Sequence, residues 1–499
     1  MFVIYGPTTS PTGDAGIPVF FHSARFMKVL VHLIAAFRLT CQLALAGALL
    51  ATPGAARAQA PAFAPAVTYP SGGNNPYLVA VGDVNGDRRP DLVTTNFPSS
   101  TVGVLLGQAG GTFAPAATYP SGGINPTGVA LGDVNGDGRP DVVTANSFSN
   151  TVGVLLGQTG GTFAAAATYA SGGTGPFGVA VGDVNGDGRP DLVTANNFSN
   201  TVGVLLGQAG GTFAAVTTYS SGGGSPYLVA LGDVNADGRP DIVTANSGSN
   251  TVGVLLGQAG GTFAAAATYA SGGNSPRGVA VGDVNGDGRP DILTTNYGST
   301  TVGVLLGQAG GTFAAAVTYS SGGGSPFGVA LGDVNGDGRP DIVTANASSP
   351  NTAGVLLGQA GGTFAPAATY ASGGIGPAGV ALGDVNGDGR PDIAAANYNS
   401  NTVGVLLNAG TFLAATPNAA TAAEVALYPN PARDGFTVRR PAGAAPAPAE
   451  LLNALGQMVR RQPAAGASFW VETRGLAAGV YTLRLYTGGT ALAKRVVVE

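Results

Sequence analysis

Short apolar runs separated by turn residues recur along most of the chain with a period of 50 residues. In the second unit they occupy residues 113–119, 128–133, 141–145 and 151–156. Runs of this kind, rich in Val and Thr and bounded by Gly, Asn and Pro, predict β-strands. The run at 128–133 is small and apolar throughout, which favours an inner strand buried on both faces. Pro115 cannot donate a ladder hydrogen bond and belongs at a sheet edge. Each unit therefore predicts one four-stranded sheet with a defined inner and outer strand.

The units are close copies of one another, and one inserted residue near Pro350 shifts the last of them. Seven four-stranded units of about fifty residues fit a β-propeller, in which radial repetition protects the sheet edges. We predict an all-β fold with a seven-bladed β-propeller of four-stranded blades over residues 61–415, and an open solenoid is the alternative. The nine-residue core DVNGDGRPD, altered at one residue in the first and fourth copies, begins at Asp83, Asp133, Asp183, Asp233, Asp283, Asp333 and Asp384.

The fourth, Phe-led run occurs eight times, one more than the other three. Either the run at 63–69 or the run from Phe412 could therefore supply the strand that closes the ring. The eight runs begin at Phe63, Phe113, Phe163, Phe213, Phe263, Phe313, Phe364 and Phe412.

Residues 1–60 are predicted to be an N-terminal extension and a signal peptide. Lys28 follows Met27 and precedes apolar residues, and small residues then frame possible cleavage sites. We predict a start at Met27 and cleavage near Ala58 or Ala60. A membrane anchor is the alternative, but Arg38 splits the apolar stretch into runs too short to span a bilayer.

Composition limits the chemistry of the remaining chain. Gly (83) and Pro (33) are abundant among the 499 residues, but the 44% hydrophobic share and the fixed period argue against disorder. Both histidines, His22 and His32, and the only cysteine, Cys41, lie before residue 61. If that segment is removed, the mature protein has no residues for a Ser-His-Asp or Cys-His nucleophile, a His/Cys zinc site or a disulfide.

Negative charge in the array is confined to the nine-residue cores. Every acidic residue between 61 and 415 is one of their 21 Asp, and the same segment has nine Arg, no Lys and no Glu, which gives a net charge of −12. Three carboxylates within nine residues repel one another unless a cation lies between them. Asp, Asn and Asp at positions 1, 3 and 5, a carbonyl from Arg at 7 and Asp at 9 are hard oxygen ligands that suit calcium.

We predict about seven structural Ca²⁺ sites, with plain solvated Asp-Gly turns as the alternative. An EF-hand does not fit, because position 12 is Thr144 or its equivalent and a strand follows the loop. The predicted ligands are Asp83, Asn85, Asp87, Arg89, Asp91, Asp133, Asn135, Asp137, Arg139, Asp141, Asp183, Asn185, Asp187, Arg189, Asp191, Asp233, Asn235, Asp237, Arg239, Asp241, Asp283, Asn285, Asp287, Arg289, Asp291, Asp333, Asn335, Asp337, Arg339, Asp341, Asp384, Asn386, Asp388, Arg390 and Asp392.

Two copies of the core depart from the others. The first has Arg88 where the rest have Gly, at a position expected to need positive φ, and the fourth has Ala236 for Gly. We predict that the first site binds calcium most weakly.

The units resemble FG-GAP or VCBS-type repeats, the family found in integrin α-subunit propellers. Phe177-Gly178 and Phe327-Gly328 match the family's FG step, and DVNGDGRPD matches its calcium loop. The later Gly-Ala-Pro step is replaced by Thr194-Ala195-Asn196 and its equivalents. The resemblance covers about 350 residues and implies a propeller fold and calcium binding, but it implies no particular ligand or activity.

Loops on the side opposite the Asp cores differ among the copies and carry aromatic residues and one arginine. Such variation on a rigid scaffold predicts a ligand-binding surface, and the alternative is drift in exposed loops with the aromatics packed between blades. The predicted surface residues are Tyr77, Phe97, Phe148, Phe177, Phe198, Tyr227, Arg277, Tyr297, Phe327 and Tyr398.

The chain changes character after a linker at 416–423. Residues 424–499 contain several short apolar runs and predict a small antiparallel β-sandwich. Tyr428-Pro429-Asn430-Pro431, Leu455-Gly456-Gln457, the Gly475 to Tyr481 stretch and the terminal Lys494 to Glu499 resemble the type IX secretion sorting domain of Bacteroidota. That resemblance implies passage through the outer membrane by the type IX machinery after Sec export.

These observations predict a monomeric, secreted or cell-surface, calcium-binding β-propeller that serves as a non-catalytic binding or adhesion module for a glycan or protein. A structural spacer without a specific ligand is one alternative. A carbohydrate-active enzyme is another, although every array carboxylate is in a predicted metal loop and no Lys or His is available as a base. A pI near 5.1 and the absence of lysine from the array argue against nucleic-acid binding, and no transmembrane segment is predicted in the mature chain.

Overall fold

The structure is a computed structural model. It describes residues 62–410, 426–428, 432–439, 447–452, 458–464, 468–476, 479–487 and 490–498. These ranges contain β-strands and no helix, and therefore no helical membrane span. The predicted signal peptide, the start at Met27, the cleavage sites near Ala58 and Ala60, the run from Phe412 and the linker lie outside the described residues.

Each repeat unit forms one four-stranded antiparallel sheet. In the first unit the order from the inner to the outer edge is β2 (Pro76–Gly82), β3 (Asp91–Asn96), β4 (Thr101–Leu105) and β7 (Ala117–Pro120). A short hairpin lies between β4 and β7 along the chain. Its two strands, β5 (Gly107–Gln108) and β6 (Thr112–Phe113), have two residues each.

The second to sixth units repeat this order. Their strands are β8 (Pro126–Gly132), β9 (Asp141–Asn146), β10 (Thr151–Leu155), β11 (Gly157–Gln158), β12 (Thr162–Phe163), β13 (Ala167–Ala170), β14 (Pro176–Gly182), β15 (Asp191–Asn196), β16 (Thr201–Leu205), β17 (Gly207–Gln208), β18 (Thr212–Phe213), β19 (Thr217–Ser220), β20 (Pro226–Gly232), β21 (Asp241–Asn246), β22 (Thr251–Leu255), β23 (Gly257–Gln258), β24 (Thr262–Phe263), β25 (Ala267–Ala270), β26 (Pro276–Gly282), β27 (Asp291–Asn296), β28 (Thr301–Leu305), β29 (Gly307–Gln308), β30 (Thr312–Phe313), β31 (Val317–Ser320), β32 (Pro326–Gly332), β33 (Asp341–Asn346), β34 (Thr352–Leu356), β35 (Gly358–Gln359), β36 (Thr363–Phe364) and β37 (Ala368–Ala371).

The seventh sheet joins the two ends of the array. It consists of β38 (Pro377–Gly383), β39 (Asp392–Asn397), β40 (Thr402–Leu406) and, as its outer strand, β1 (Val67–Pro70). β1 runs antiparallel to β40, and Phe63 forms a further bridge to Asn408. The run at 63–69 therefore supplies the outer strand that the sequence left open. The inner strands of successive sheets contact one another, and β38 contacts β2 in the same way.

Apolar side chains fill the space between neighbouring sheets. Val93 and Val104 of the first sheet, for example, pack with Val142 and Leu155 of the second. All six residues of β3 are buried, whereas the inner strand β2, which we predicted to be buried on both faces, is only half-buried. The reason is that β2 lies at the inner end of its sheet and has one strand neighbour instead of two.

The Phe-led run differs from the single fourth strand that we predicted. It divides into β6 and β7, because the Phe113 ring is buried and packs edge-on against Tyr69 of the seventh sheet at 5.3 Å. An equivalent Phe–Tyr contact joins every pair of neighbouring sheets, and Phe63 against Tyr370 completes the set. The phenylalanine thus links adjacent sheets, and the outer strand begins only after it.

The C-terminal segment forms two antiparallel sheets of three and four strands, in the orders β41-β42-β45 and β44-β43-β46-β47. Side chains from both sheets, including Phe436, Leu451, Leu483 and Val496, share one buried core. The pair β43 and β44 falls outside the apolar runs of the sequence, because it is rich in Ala, Pro and Arg. The strands are β41 (Ala426–Tyr428), β42 (Gly435–Arg439), β43 (Ala447–Leu452), β44 (Met458–Ala464), β45 (Ser468–Glu472), β46 (Gly479–Thr487) and β47 (Thr490–Val498).

Candidate metal loops and the opposite face

The first Asp of each nine-residue core organises the loop between the two inner strands. The Asp83 carboxylate accepts hydrogen bonds from the backbone N–H groups of Gly86 at 2.7 Å, Asp87 at 3.2 Å and Arg88 at 2.7 Å. Asn85 Oδ1 accepts a second bond from Asp87 N–H at 2.8 Å. Positions 1 and 3 therefore fold the loop around their own oxygen atoms, as Asp and Asn commonly do in turns.

The Asp at position 5 is paired with the Arg at position 7. In the first loop Arg89 Nη2 lies 2.6 Å from Asp87 Oδ2, and Arg89 Nε donates to the carbonyl of Gly107 at 3.3 Å. The same ion pair occurs in all seven loops. The hydrogen bond from the Arg189 backbone N–H is the main reason that the pKa of Asp187 is lowered. We predicted only a carbonyl ligand from this Arg, although its presence in every copy was a signal for a role of its side chain.

The Asp at position 9 is a buried connector. Asp91 has no exposed surface, and its two oxygens accept the N–H groups of Val84 at 2.8 Å and Gly107 at 2.7 Å. Burial raises the pKa of Asp91 to about 6 in spite of these bonds, and the neighbouring carboxylates of Asp83 and Asp87 add to the rise. Burial likewise raises the pKa of Asp341 to about 7 and that of Asp392 to about 6. This residue fixes the loop and the β5–β6 hairpin to the start of the same strand.

The donor set of each loop has the oxygen chemistry that calcium requires. The arrangement of these oxygens differs from that of a calcium site, because the carboxylates already accept backbone N–H groups. In addition, the Arg at position 7 pairs with the Asp at position 5. Across the described ranges, no three Asp, Glu, His or Cys side chains converge on a position suited to a metal ion. The predicted calcium ligands thus share one loop in each unit without converging on one position there, and their metal-binding role stays a prediction.

The two residues that replace glycine in the cores both have positive φ, which we predicted only for Arg88. Arg88 has φ of 67° and Ala236 has φ of 61°. In the fourth loop the N–H of Ala236 lacks the hydrogen bond to Asp233 that the equivalent glycine makes in the other six loops. Both substitutions therefore occupy backbone positions that favour glycine.

On the other side of the array, Ser and Asn side chains link the loops. Ser149 Oγ accepts the N–H of Ile124 within one unit, and Asn150 Oδ1 accepts the N–H of Gly175 at the start of the next, both at 2.8 Å. The corresponding bond from Asn75 N–H to Asn401 Oδ1, also 2.8 Å, joins the first unit to the seventh. We call these inter-unit bonds the junction bonds.

Eight of the ten predicted ligand-surface residues meet in one group, which we call the central cluster. Its members are Tyr77, Phe97, Phe177, Tyr227, Arg277, Tyr297, Phe327 and Tyr398. Tyr77 contacts the rings of Phe97, Phe177, Phe327 and Tyr398 and hydrogen-bonds the Tyr227 hydroxyl. Tyr227 is only 9% exposed and Phe327 only 4%, because each is the second residue of an inner strand. These strands begin at Pro226 and Pro326, two residues earlier than we predicted.

The remaining two predicted surface residues face solvent. Phe148 and Phe198 are each 66% exposed and lie on the loops between the second and third strands of their sheets. Phe148 lies 6.3 Å from Phe97, and Phe198 lies 6.1 Å from Phe177. The exposed rings therefore adjoin the central cluster.

Comparison with known families identifies both parts of the chain. Six overlapping FG-GAP-like repeats match residues 83–144, 133–194, 183–244, 233–294, 283–344 and 333–395. The description "secretion system C-terminal sorting domain" matches residues 426–499. No curated protein matches the chain.

The chain is similar to several solved structures at low sequence identity. BBS1N in complex with ARL6DN, soaked with lead, is 12% identical with a TM-score of 0.50, and the match covers 70% of this chain and 98% of that one. A functionally unknown protein from Desulfotomaculum acetoxidans DSM 771 is 15% identical over 60% of this chain and 90% of its own, with a TM-score of 0.44. A putative 6-phosphogluconolactonase from Bacteroides fragilis NCTC 9343 is 13% identical over 84% and 100%, with a TM-score of 0.46.

Repeated four-stranded sheets with an Asp-rich loop in each, followed by a sorting domain, define a repeat protein exported to the cell surface or the extracellular space. The chain belongs to the FG-GAP-like repeat family. Its C-terminal domain marks it for the type IX secretion machinery.

Proposed function

We propose that the protein is a monomeric, non-catalytic binding module built on a closed, seven-bladed, calcium-stabilised β-propeller. The observation that carries the proposal is the separation of the two sides of the array. All 21 Asp lie in the nine-residue cores on one side, whereas the aromatic residues that differ among units lie on the other. One side then stabilises the scaffold, and the other binds an extracellular glycan or protein.

Charge supports a role for calcium. Each loop holds three carboxylates, and the arginine at position 7 pairs with the second of them, so two carboxylates per loop lack an ion-pair partner. Asp83, Asn85, Asp87, the Arg89 carbonyl and Asp91 would hold the ion in the first loop. Calcium supplies the positive charge that the loop lacks, and its binding has to compete with Arg89 for Asp87. Extracellular sites of this kind bind at about 10⁻⁴ to 10⁻³ M, so tenfold excess would add about 1.4 kcal/mol per site.

The distribution of functional groups supports binding without catalysis. Residues 61–415 contain no His, Lys, Cys or Glu, and their carboxylates are held by backbone N–H groups or arginine in the loops. A carboxylate-based glycosidase needs two carboxyl groups across a pocket. The side with the central cluster offers Tyr hydroxyls and Arg277 instead, which suit recognition better than proton transfer.

The proposal is tested on the full chain by thermal unfolding with millimolar calcium and with EGTA, together with metal stoichiometry. We expect a large rise in melting temperature with calcium and six or seven bound ions. An unchanged melting temperature with no bound metal would leave the loops as plain Asp-Gly turns and remove calcium from the proposal.

The binding role needs a separate measurement, because a spacer protein would also be stabilised by calcium. Pull-down on immobilised extracellular polysaccharides compares the full chain with Phe148→Asn/Phe198→Asn. Asparagine is the native residue at the equivalent position, Asn399, so the loop accommodates it. We expect the double variant to lose retention and keep its calcium response. Retention of neither protein would favour the spacer, and equal retention of both would show that Phe148 and Phe198 do not form the binding surface.

A further inference from the structure

The central cluster holds a cation without a counter-ion. Arg277 is the only charged side chain of residues 62–410 outside the nine-residue cores. Its Cζ lies 3.5 Å from the ring centre of Tyr297, 4.9 Å from Tyr227 and 5.0 Å from Phe327. Its Nε is buried without a hydrogen-bond partner, and within the described part of the chain no carboxylate pairs with it. Arg277 as a whole is half-buried, and contacts with aromatic faces offset only part of the cost of removing its Nε from water.

A continuous line of aromatic rings leads from this arginine to solvent. Tyr227 lies 4.6 Å from Phe177, which in turn lies 6.1 Å from the exposed Phe198. The Phe198 ring covers Gly175 so closely that a Cβ there would be 2.4 Å from it. One face of the Phe198 ring is thus held against the glycine, and most of the side chain remains open to solvent.

We propose that this side of the array binds an acidic polysaccharide, with a uronate carboxylate paired to Arg277 and a sugar ring of the same chain packed on Phe198. The planar guanidinium fork matches a carboxylate, which would supply the acceptor that Nε lacks. Exposed aromatic faces suit the apolar faces of sugar rings. This inference rests on the binding role proposed above and specifies its ligand class.

A polymer fits the surface better than a peptide carboxylate. Phe148 provides a second, equally exposed ring, which contacts Phe97 of the central cluster. Phe97 in turn contacts Tyr77. Two aromatic platforms connected to one cation suit a ligand of repeating rings that carries charge along its length. A peptide that ends in a carboxylate would present one charge and would lack the repeating sugar rings that could pack on both Phe148 and Phe198.

The test uses the full chain in calcium, with a short oligogalacturonate as the probe, its methyl ester as the neutral counterpart and a peptide with a free C-terminal carboxylate. Calorimetry measures affinity, and the ¹⁵N-labelled Arg277 Nε–H resonance reports contact. The main variant is Arg277→Thr, because Thr127 is the native residue at the same position of the second unit. Arg277→Lys keeps the charge without the fork, and Phe198→Asn removes one ring.

We expect the wild type to bind the oligogalacturonate and shift the Arg277 resonance, and Arg277→Thr to bind at least about tenfold more weakly. Arg277→Lys should fall between them, and Phe198→Asn should weaken binding several-fold without altering its salt dependence. Equal binding of the methyl ester, unchanged binding by Arg277→Thr, or binding of the peptide alone would overturn the proposal. Calcium-dependent melting of the same samples separates this failure from failure of the proposed scaffold role.

Discussion

The two sides of the array are stabilised in different ways. We call the side that carries the nine-residue cores the loop side. There, most hydrogen bonds join residues within one core, such as Asp83 to Gly86 and Arg88, and the buried Asp91 adds a link to the hairpin. On the other side, junction bonds such as Gly175 N–H to Asn150 cross from one unit to the next. Charges crowd the first side, whereas Arg277 is the only charge on the second.

This difference explains which positions vary among the copies. In the cores, Asp accepts backbone N–H groups and Arg pairs with Asp, and at most junctions Ser or Asn accepts a backbone N–H. Replacing any of these residues leaves a polar group without a partner. Positions 77, 127, 177, 227, 277, 327 and 378 satisfy no such group in most units, and there the chain carries Tyr, Thr, Phe, Arg or Ala. Variation is therefore tolerated toward the central cluster, where the proposed binding specificity could change without loss of the scaffold.

The largest effect is expected from a buried aspartate of the loop side. Asp241→Ala leaves the N–H groups of Val234 and Gly257 without their acceptor, which should lower the free energy of unfolding by about 3 kcal/mol. Urea unfolding in EGTA measures this effect without metal. Asp241→Asn keeps one acceptor oxygen and should lose less. Equal, small losses in both variants would contradict the role of this residue as a connector.

The second prediction concerns pH. Burial raises the pKa of Asp341 to about 7, above its value of about 3.9 in an unfolded chain. The folded state therefore binds more protons than the unfolded state between these values, and stability is lost as pH rises through 7. In EGTA we expect Asp341 to account for a fall of about 2 kcal/mol in unfolding free energy between pH 5 and 7.5.

The matched control for this pH effect is Asp341→Asn, which cannot titrate. Its unfolding free energy should fall less steeply over the same pH range. Parallel pH curves for the two proteins would show that Asp341 does not carry the effect.

Much of this architecture followed from the sequence. The four runs per unit, the edge position of the Phe-led run and the positive φ of Arg88 all reflect local constraints, and local constraints are readable in one chain. The ring-closing strand could not be chosen in advance, because the runs from Phe63 and Phe412 carry the same signal and only strand pairing distinguishes them. The burial of Tyr227 and Phe327 was expected only under the alternative of packed aromatics, because it results from side chains of six units meeting at one place.

A smaller effect is expected at the one junction that lacks its bond. Thr300 occupies the position of Asn150 and Asn250 with φ of 58°, which a β-branched residue rarely adopts, and among the described residues no hydrogen bond joins it to Ser325 N–H. Thr300→Asn should stabilise the chain by about 1 kcal/mol through a new bond and a more favourable backbone. Urea unfolding measures the gain.

The reverse change at the preceding junction serves as its control. Asn250→Thr removes the bond to Ser275 N–H, 2.8 Å long, and places a β-branched residue at φ of 57°. It should destabilise the chain by a similar amount. If neither variant alters stability, the junction bonds do not stabilise this side.

The smallest expected change returns to the loop side and distinguishes conformational strain from metal binding. Arg88→Gly keeps all three backbone bonds to Asp83 and relieves positive φ, but glycine also loses more freedom on folding, so the net gain should be about 0.5 kcal/mol. If the first loop binds calcium most weakly because of Arg88, the same variant should bind its weakest ion more tightly in a metal titration. Ala236→Gly provides the comparison, because it also restores a bond to Asp233. A gain in stability with unchanged stoichiometry and affinity would assign Arg88 to strain alone, since the loop would then fold better without binding metal better.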